Sequence, residues 1–284
     1  MLTSAQKHWG IEQWSAWLKD KDIPILPATR AWLLALTPEE ADIVSARELT
    51  GLVMSDPLLA LRLLRRAEQI RSHQLGHETT TPLATVLQLG FKRMSHVIDD
   101  ADDANDALPG FAACAQRAVS AAHIGHAWAA HHADISPDEV AFAALLEETG
   151  ELLLWAFVPD LPAAALEALR IGRAQRNAEA QELTAGFSFR GLTLELADMW
   201  QLPRLITQLI KGSDNVRANI ARLATDTARH LQADPRNRAI VDDLKAIREV
   251  IPGVTYETLM IPLNLEPDFE EVVLLALSGE SSEI

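Results

Sequence analysis

Helix starts led by proline constrain this chain more than any other feature. Residues 37–40, TPEE, form one such start, in which Thr37 can cap the helix and Glu40 can close a capping box around the proline. Asp56-Pro57 repeats the signal, and residues 136–139, SPDE, repeat it again. The sequence therefore predicts a series of short helices joined by tight turns.

The apolar composition favours helices over strands. Hydrophobic residues make up 48% of the 284 residues, and among them alanine and leucine dominate while clusters of valine and isoleucine are scarce. This balance is typical of helix-rich proteins. We expect an all-α fold, a compact multi-helix bundle with helical extensions at both ends and almost no sheet.

The charge balance bears on the choice of partners. The 25 basic and 40 acidic side chains give 25 − 40 = −15. A chain this acidic repels a phosphate backbone instead of recruiting it by counterion release. We expect no direct contact with nucleic acid.

Cysteine usage and the N-terminal sequence bear on the compartment. The single cysteine, Cys114, lies in an alanine-rich helical context, which predicts a buried, inert thiol in a reducing environment. The start of the chain lacks a basic region followed by an apolar one, and no run approaches the roughly 18 apolar residues of a membrane span. We expect a cytoplasmic protein without a membrane segment.

The chain divides at two places where its composition changes. Trp9, Trp14 and Trp17 are spaced to share one side of a first helix, which we expect to dock onto the main body before a proline-containing connector. Residues 99–110 are acidic and lack an apolar face, so we expect an exposed loop there and the main internal break. We predict three parts: a Trp-rich helix and connector at residues 1–22, the main domain at residues 23–213, and C-terminal helices packing on it at residues 214–284.

Five segments, taken in order, resemble a known family. They are LPATRAWLLAL, LVMSDPLLALRLLRRAE, LATVLQLGFKRMSHV, FAALLEETGELLLW and MWQLPRLITQLI. The chain is similar to the HDOD family, the HD-related output domains of bacterial signalling proteins, over about residues 23–213. The most telling parts are Asp56-Pro57 before its leucine-rich helix, Leu89-Gly90 with Arg93, and Gly150 within its apolar frame.

The resemblance implies an all-helical domain related to HD phosphohydrolases, whose helices present His and Asp side chains to divalent metals. In that superfamily the frame of residues 142–155 usually carries an adjacent His-Asp pair, where this chain has Glu147 and Glu148. Where related sequences often place further histidines, this chain has residues 187–190, FSFR, and residues 211–213, KGS. The resemblance thus implies a degenerate metal motif.

The chemistry of the two glutamates agrees with that loss. A hydrolytic metal site needs several converging ligands and an open position for water. Adjacent helical positions point about 100° apart, so Glu147 and Glu148 would not readily share one metal, whereas Glu151 is spaced three or four residues from each of them. We expect one of the pair to face solvent or a partner's cation, and the other to be partly buried against an arginine such as Arg117 or Arg190.

Two alternatives for this motif stay open. The glutamates could retain a magnesium or manganese site with a remote carboxylate, or they could line a vestigial polar pocket that binds a small ligand without turnover. Our expectation is that no catalytic residue, metal ligand or cofactor is present.

Two further clusters, one of histidines and one of arginines, are candidate sites. Four histidines on one predicted helix, at about residues 111–132, lack recognisable additional ligands, so we expect surface side chains there: His123, His126, His131 and His132. Arg62, Arg65 and Arg66 form a cationic cluster that favours a solvated helix face. In so acidic a chain, however, these three and Arg190 are the candidate contacts for a partner or for a nucleotide phosphate.

The sequence therefore predicts a non-catalytic signal-transduction output module or scaffold. It would act through contacts with other signalling proteins, or through a small ligand such as a nucleotide, near the former metal pocket. The alternative is a metal-dependent phosphohydrolase of nucleotides or cyclic dinucleotides that uses unusual ligands.

Overall fold

The structure, a computed structural model, describes residues 3, 5–71, 78–212 and 215–279, and they are helical almost throughout. The all-α prediction is confirmed: β structure in the described residues is limited to an isolated bridge between Ile25 and Asp103. The α-helices in chain order are α1 (Ile11–Lys19), α2 (Pro27–Ala35), α3 (Pro38–Ile43), α4 (Ala46–Ser55), α5 (Pro57–Ile70), α6 (Pro82–Asp99), α7 (Pro109–Ala129), α8 (Pro137–Glu147), α9 (Thr149–Phe157), α10 (Asp160–Arg170), α11 (Asn177–Ala185), α12 (Phe189–Met199), α13 (Arg204–Lys211), α14 (Val216–Ala233), α15 (Ala239–Val250), α16 (Tyr256–Met260) and α17 (Pro267–Ser278).

Two of the predicted helix starts form by the expected chemistry, at Thr37 and at Asp56. The Thr37 hydroxyl accepts the Glu40 backbone N–H at 3.3 Å, and the Glu40 carboxylate accepts the Thr37 N–H at 2.8 Å, which closes the capping box. Asp56 caps α5 by accepting the N–H groups of Leu58 and Leu59, both at 2.9 Å. The helix starts are thus encoded locally, by side chains within three residues of each terminus.

Gly90 interrupts α6 without ending the helical segment. Its φ of +70° is left-handed, a conformation that glycine adopts without steric cost. The chain then returns to helix up to Asp99 and buries Met94 and Ile98. Gly90 therefore produces a kink between two helical halves of one segment.

The chain forms two compact units. Unit 1 comprises residues 1–116 and 146–207, and unit 2 comprises residues 117–145 and 208–284. The three-part division made from the sequence stays a prediction. The acidic loop is less exposed than expected, because Ala101 and Ala104 are buried and the loop backbone pairs with Ile25.

Unit 1 holds the Trp-rich first helix. As predicted, α1 docks by packing against α12, with Trp14 buried, and the Trp200 indole N–H donates to the Lys19 carbonyl at 3.1 Å. Helix α5 supplies much of the core, with Leu59, Leu61 and neighbouring leucines fully buried. Helix α9 packs against α5, α10 and α12, which places the residues just after Glu147 and Glu148 inside the unit.

Unit 2 has its own core, built largely on α14 and α15. Trp128 is buried in that core, and its indole N–H donates to the Leu259 carbonyl at 2.9 Å. His230 Nδ1 lies 2.7 Å from a carboxylate oxygen of Asp243. Burial raises the pKa of Asp243, while the bond to His230 acts in the opposite direction.

Among the described helices, none is by itself both long and apolar enough for a membrane span. One pair, Pro137–Phe157 with Asp160–Arg170, passes that test only when taken together, and it is bent by 110°.

Candidate functional site

The two adjacent glutamates lie at a break between helices. Helix α8 ends at Glu147, α9 begins at Thr149, and Glu148 between them has φ −82° and ψ 5°. The expectation that Glu147 and Glu148 occupy adjacent positions of one helix was wrong. Side-chain directions across the break no longer follow the regular 100° step. Adjacency in the sequence therefore does not fix the angle between the Glu147 and Glu148 side chains.

Thr193 of α12 stabilises the break. Its hydroxyl accepts the Gly150 N–H at 2.8 Å and donates to the Glu147 carbonyl at 2.9 Å. Both are backbone groups next to a helix end, where the regular ladder of hydrogen bonds stops. One buried hydroxyl from α12 therefore satisfies a donor of α9 and an acceptor of α8.

Gly150 is needed because α9 and α12 approach each other very closely. A Cβ atom built on Gly150 would lie 2.3 Å from the Phe189 carbonyl oxygen and 3.0 Å from the Thr193 backbone nitrogen. Both neighbours are backbone atoms, so no side-chain rotation could relieve the clash. Gly150 thus has a packing role that is independent of any metal.

Glu147 and Glu148 are both buried, so the expectation that one of them could face solvent was wrong. Of the two arginines named from the sequence, Arg190 lies beside Glu147, with its Nε 3.6 Å from Oε1. Arg117 donates to the Gln232 side chain at 2.7 Å. The guanidinium of Arg190 therefore compensates the Glu147 charge, as a buried carboxylate requires.

Glu148 and Glu151 converge on Cys114. One ligand-type atom from each of these three buried side chains lies within 4.8 Å of the others. The Cys114 sulfur is 3.9 Å from Glu148 Oε2, and the Trp155 indole N–H donates to Glu151 Oε1 at 3.3 Å. The prediction of a buried Cys114 is confirmed, but its position beside the two carboxylates was missed.

These residues do not fit the hydrolytic metal centre of HD phosphohydrolases. The set contains a thiol and two carboxylates without an imidazole, and all three side chains are buried. A hydrolytic metal needs an open position at which its bound water can meet a phosphoester outside. The buried cluster offers no such position.

The described residues of the two downstream segments, 187–190 and 211–213, add no side chain of the usual metal-ligand types. Phe187 and Phe189 are buried hydrophobic side chains, and Arg190 pairs with Glu147. Lys211 is exposed and ends α13, whereas Ser213 lies outside the described residues.

The cationic cluster on α5 has mainly structural contacts. Arg62 donates to the Asp22 carboxylate and to the Ile23 carbonyl, which ties the connector to the helix. The Arg65 guanidinium stacks 4.3 Å from the centre of the Trp200 ring, and burial, followed by the charge of Arg62, lowers the pKa of Arg65. Arg66 is the exposed member of the cluster. The structure therefore does not gather the three arginines into one anion site.

The histidines lie at the surface, as predicted. His123, His126 and His131 are exposed, and His132 is partly so. Helix α7 ends at Ala129, so the last two lie beyond the helix on which they were placed. His126 Nε2 lies 3.3 Å from Asp138.

Asp56 is a polar centre whose full extent the sequence did not indicate. Besides capping α5, it accepts the Leu26 N–H at 2.8 Å and the Thr29 hydroxyl at 2.7 Å, both at the start of α2. The side chain is fully buried. Burial raises the pKa of Asp56, and its four hydrogen bonds act in the opposite direction.

Together, the all-helical fold and the motif at residues 142–155 define an HD-related domain. The HDOD domain family matches residues 23–216, so the chain belongs to that family and the predicted resemblance is confirmed. Among curated proteins, none matches this chain.

Two solved structures show the same fold. The MmoQ response regulator from Methylococcus capsulatus str. Bath is 20% identical, with a TM-score of 0.65, over 86% of this chain and 99% of that one. A virulence factor (cj0248) from Campylobacter jejuni subsp. jejuni is 18% identical, with a TM-score of 0.68, over 93% of this chain and 97% of that one.

Proposed function

We propose that this HDOD protein is a non-catalytic output module or scaffold in signal transduction, which works by contacting other proteins. One observation carries the proposal: at the position of the hydrolase His-Asp pair, Glu147 is buried against the guanidinium of Arg190. A guanidinium neutralises a carboxylate, but it has no coordination position for water and does not act as a Lewis acid. The cation beside this carboxylate is therefore unsuited to hydrolysis.

Two further observations support a role in protein contacts. The MmoQ structure is named a response regulator, which agrees with a signalling role for this chain. The net charge of −15 disfavours nucleic acid as the direct partner. Other signalling proteins are thus the partners that the proposal names.

The competing function is a metal-dependent phosphohydrolase acting on a nucleotide or cyclic dinucleotide. The observation that favours it is the convergence of Cys114, Glu148 and Glu151 within 4.8 Å. Carboxylates and a thiolate are ligands for several divalent metals. This function would require the buried cluster to open toward a substrate.

The first experiment measures phosphoester hydrolysis with a matched pair of variants. Purified protein is assayed with bis(p-nitrophenyl) phosphate and a cyclic dinucleotide, with manganese or magnesium, as wild type, Glu148→Gln and Glu139→Gln. Glu139 is the control, because it is a carboxylate of α8 that pairs with Arg217 away from the cluster. Metal content is measured on the same samples by mass spectrometry.

We expect the three proteins to give the same background turnover and the same metal content. Turnover or stoichiometric metal that is lost in Glu148→Gln but kept in Glu139→Gln would overturn the proposal. A nucleotide that raises the melting temperature without being hydrolysed would indicate an output module that is controlled by a bound ligand. Such a ligand, at 100 times its Kd, would add about 2.7 kcal/mol of stability.

A second experiment tests the signalling role in cells. The gene is deleted and then restored as wild type or as Glu148→Gln, and the transcript profile is compared. A Glu148→Gln protein that keeps its melting temperature should restore the profile, because the proposal assigns no chemistry to that carboxylate. Failure of this folded variant to restore the profile would contradict a non-catalytic role.

A further inference from the structure

The hairpin of α10 and α11 carries an apolar groove on its outer side. The cavity has a volume of about 610 Å³, and its wall includes Ala164, Ala168, Ile171 and Leu183. Ile171 and Leu183 are 47% and 59% exposed. Exposed apolar side chains gathered in a groove, as opposed to scattered singly, are typical of a contact surface.

The turn between these two helices adds unpaired positive charge. Arg173 lines the groove, Arg176 follows in the same turn, and both are exposed. Within the described part of the chain neither makes an ion pair, whereas nearby Arg170 is paired with Glu167 at 2.6 Å. A partner for the groove should therefore combine an apolar face with a carboxylate near this turn.

Helix α17 has such a face. Its inner side buries Phe269, Val273 and Leu277 in the core of unit 2, which fixes the helix in place. Its outer side leaves Val272 and Leu275 53% and 66% exposed, three residues apart and therefore on one helical face.

The charge on the outer side of α17 is also complementary to the groove. Glu271 is exposed next to Val272 and makes no ion pair within the described residues. Apolar side chains at a spacing of three, flanked by a carboxylate, are the pattern with which an amphipathic helix enters an apolar groove.

We propose that α17 of one copy of this protein docks into the α10–α11 groove of a second copy. Val272 and Leu275 enter the groove, and Glu271 faces Arg173 and Arg176. The contact joins two different surfaces, so it is heterologous, and successive contacts form a ring or an open chain of copies. Self-association goes beyond the proposed output function, and its failure would leave that function untouched.

The experiment is sedimentation velocity on the full chain over a range of concentrations. Wild type should shift from monomer to larger species as the concentration rises. Leu183→Asp in the groove and Leu275→Asp on α17 should each weaken the association by about tenfold or more. Leu34→Asp is the matched control, since Leu34 is a 73% exposed leucine on α2 and should leave the association unchanged.

Mixing the two defective variants gives the sharpest readout. The Leu275→Asp copy keeps an intact groove, and the Leu183→Asp copy keeps an intact α17, so their equimolar mixture should recover one contact and form heterodimers. Arg173→Glu and Glu271→Arg should behave in the same way, with weak association alone and recovery when mixed.

Three results would overturn the inference. A monomeric wild type at every concentration would do so, and it would leave the groove to a helix of another protein. Association that survives both aspartate substitutions would place the contact elsewhere. A mixture that fails to recover would show that the groove and α17 do not bind each other. The hydrolysis assay is unaffected by any of these results.

Discussion

The buried carboxylate of Asp56 provides the most direct test of the fold. Oδ1 accepts two N–H groups of α5, and Oδ2 accepts the Leu26 N–H and the Thr29 hydroxyl at the start of α2. In an Asp56→Ala variant three backbone donors lose their acceptor in a site that water does not reach. We expect unfolding of unit 1 to become much easier.

The size of the effect follows from the number of donors. Each buried donor left without a partner costs about 1 to 3 kcal/mol, so three of them predict a loss of about 4 kcal/mol in the free energy of unfolding, with partial relaxation included. Asp56→Asn should cost about 1 to 2 kcal/mol. Its amide oxygen keeps two donors and the Thr29 hydroxyl can turn to accept, while the loss of a charge that burial disfavours gives some stability back.

Tryptophan fluorescence during urea unfolding is the assay. Of the seven tryptophans, only Trp128 falls in unit 2, so the signal reports mainly on unit 1. Thr37→Ala is the control, since Thr37 also caps a helix that begins with proline but is exposed, and it should cost about 1 kcal/mol. If Asp56→Ala costs no more than Thr37→Ala, the assignment of Asp56 as a buried polar centre is refuted.

Two further predictions concern one packing contact and one titration. Gly150→Ala should destabilise unit 1 by about 1 to 3 kcal/mol, since the new methyl group meets the Phe189 carbonyl. Gly51→Ala on α4, where a Cβ meets nothing within 4 Å, should be neutral or slightly stabilising in the same urea assay. Because burial raises the folded-state pKa of Asp243 above its unfolded value, the stability from its protonated form is present below the unfolded pKa and is lost as pH rises through the folded pKa. Scanning calorimetry from about pH 4 upward should show this loss in wild type and not in Asp243→Asn; parallel curves would contradict the sign.

Much of the fold was predictable because helix starts are local signals. The capping side chains of Thr37 and Asp56 lie within three residues of the groups that they satisfy. The break at Glu148 was not predictable from the same rules, since residues 142–155 contain no proline or charge run that would stop a helix. It depends on Thr193, which lies 46 residues from Glu147 in the chain and supplies hydrogen bonds across the gap.

The contact between Glu147 and Arg190 was predictable, but the geometry around the two glutamates was not. The Glu147–Glu148 pair and Arg190 as a partner followed from the family frame and from the need to neutralise a buried charge. The approach of Cys114 to Glu148 was missed, because an alanine-rich helix 34 residues away gives no sign of which side chain it will face. The contacts of Arg62 with the connector and of Arg65 with Trp200 were missed, since a sequence does not reveal that an arginine is used in this way.

The geometry shows which contacts hold the frame around Glu147 and Glu148 in place. The break between α8 and α9 is held by the Thr193 hydroxyl and by the close approach that Gly150 permits, and neither contact uses a side chain of the glutamate pair. The contacts that hold this frame do not require an ion, provided that each buried carboxylate finds a donor or a cation, as Glu147 does in Arg190. We therefore expect substitutions of the two glutamate side chains to leave the hydrogen bonds across the break in place.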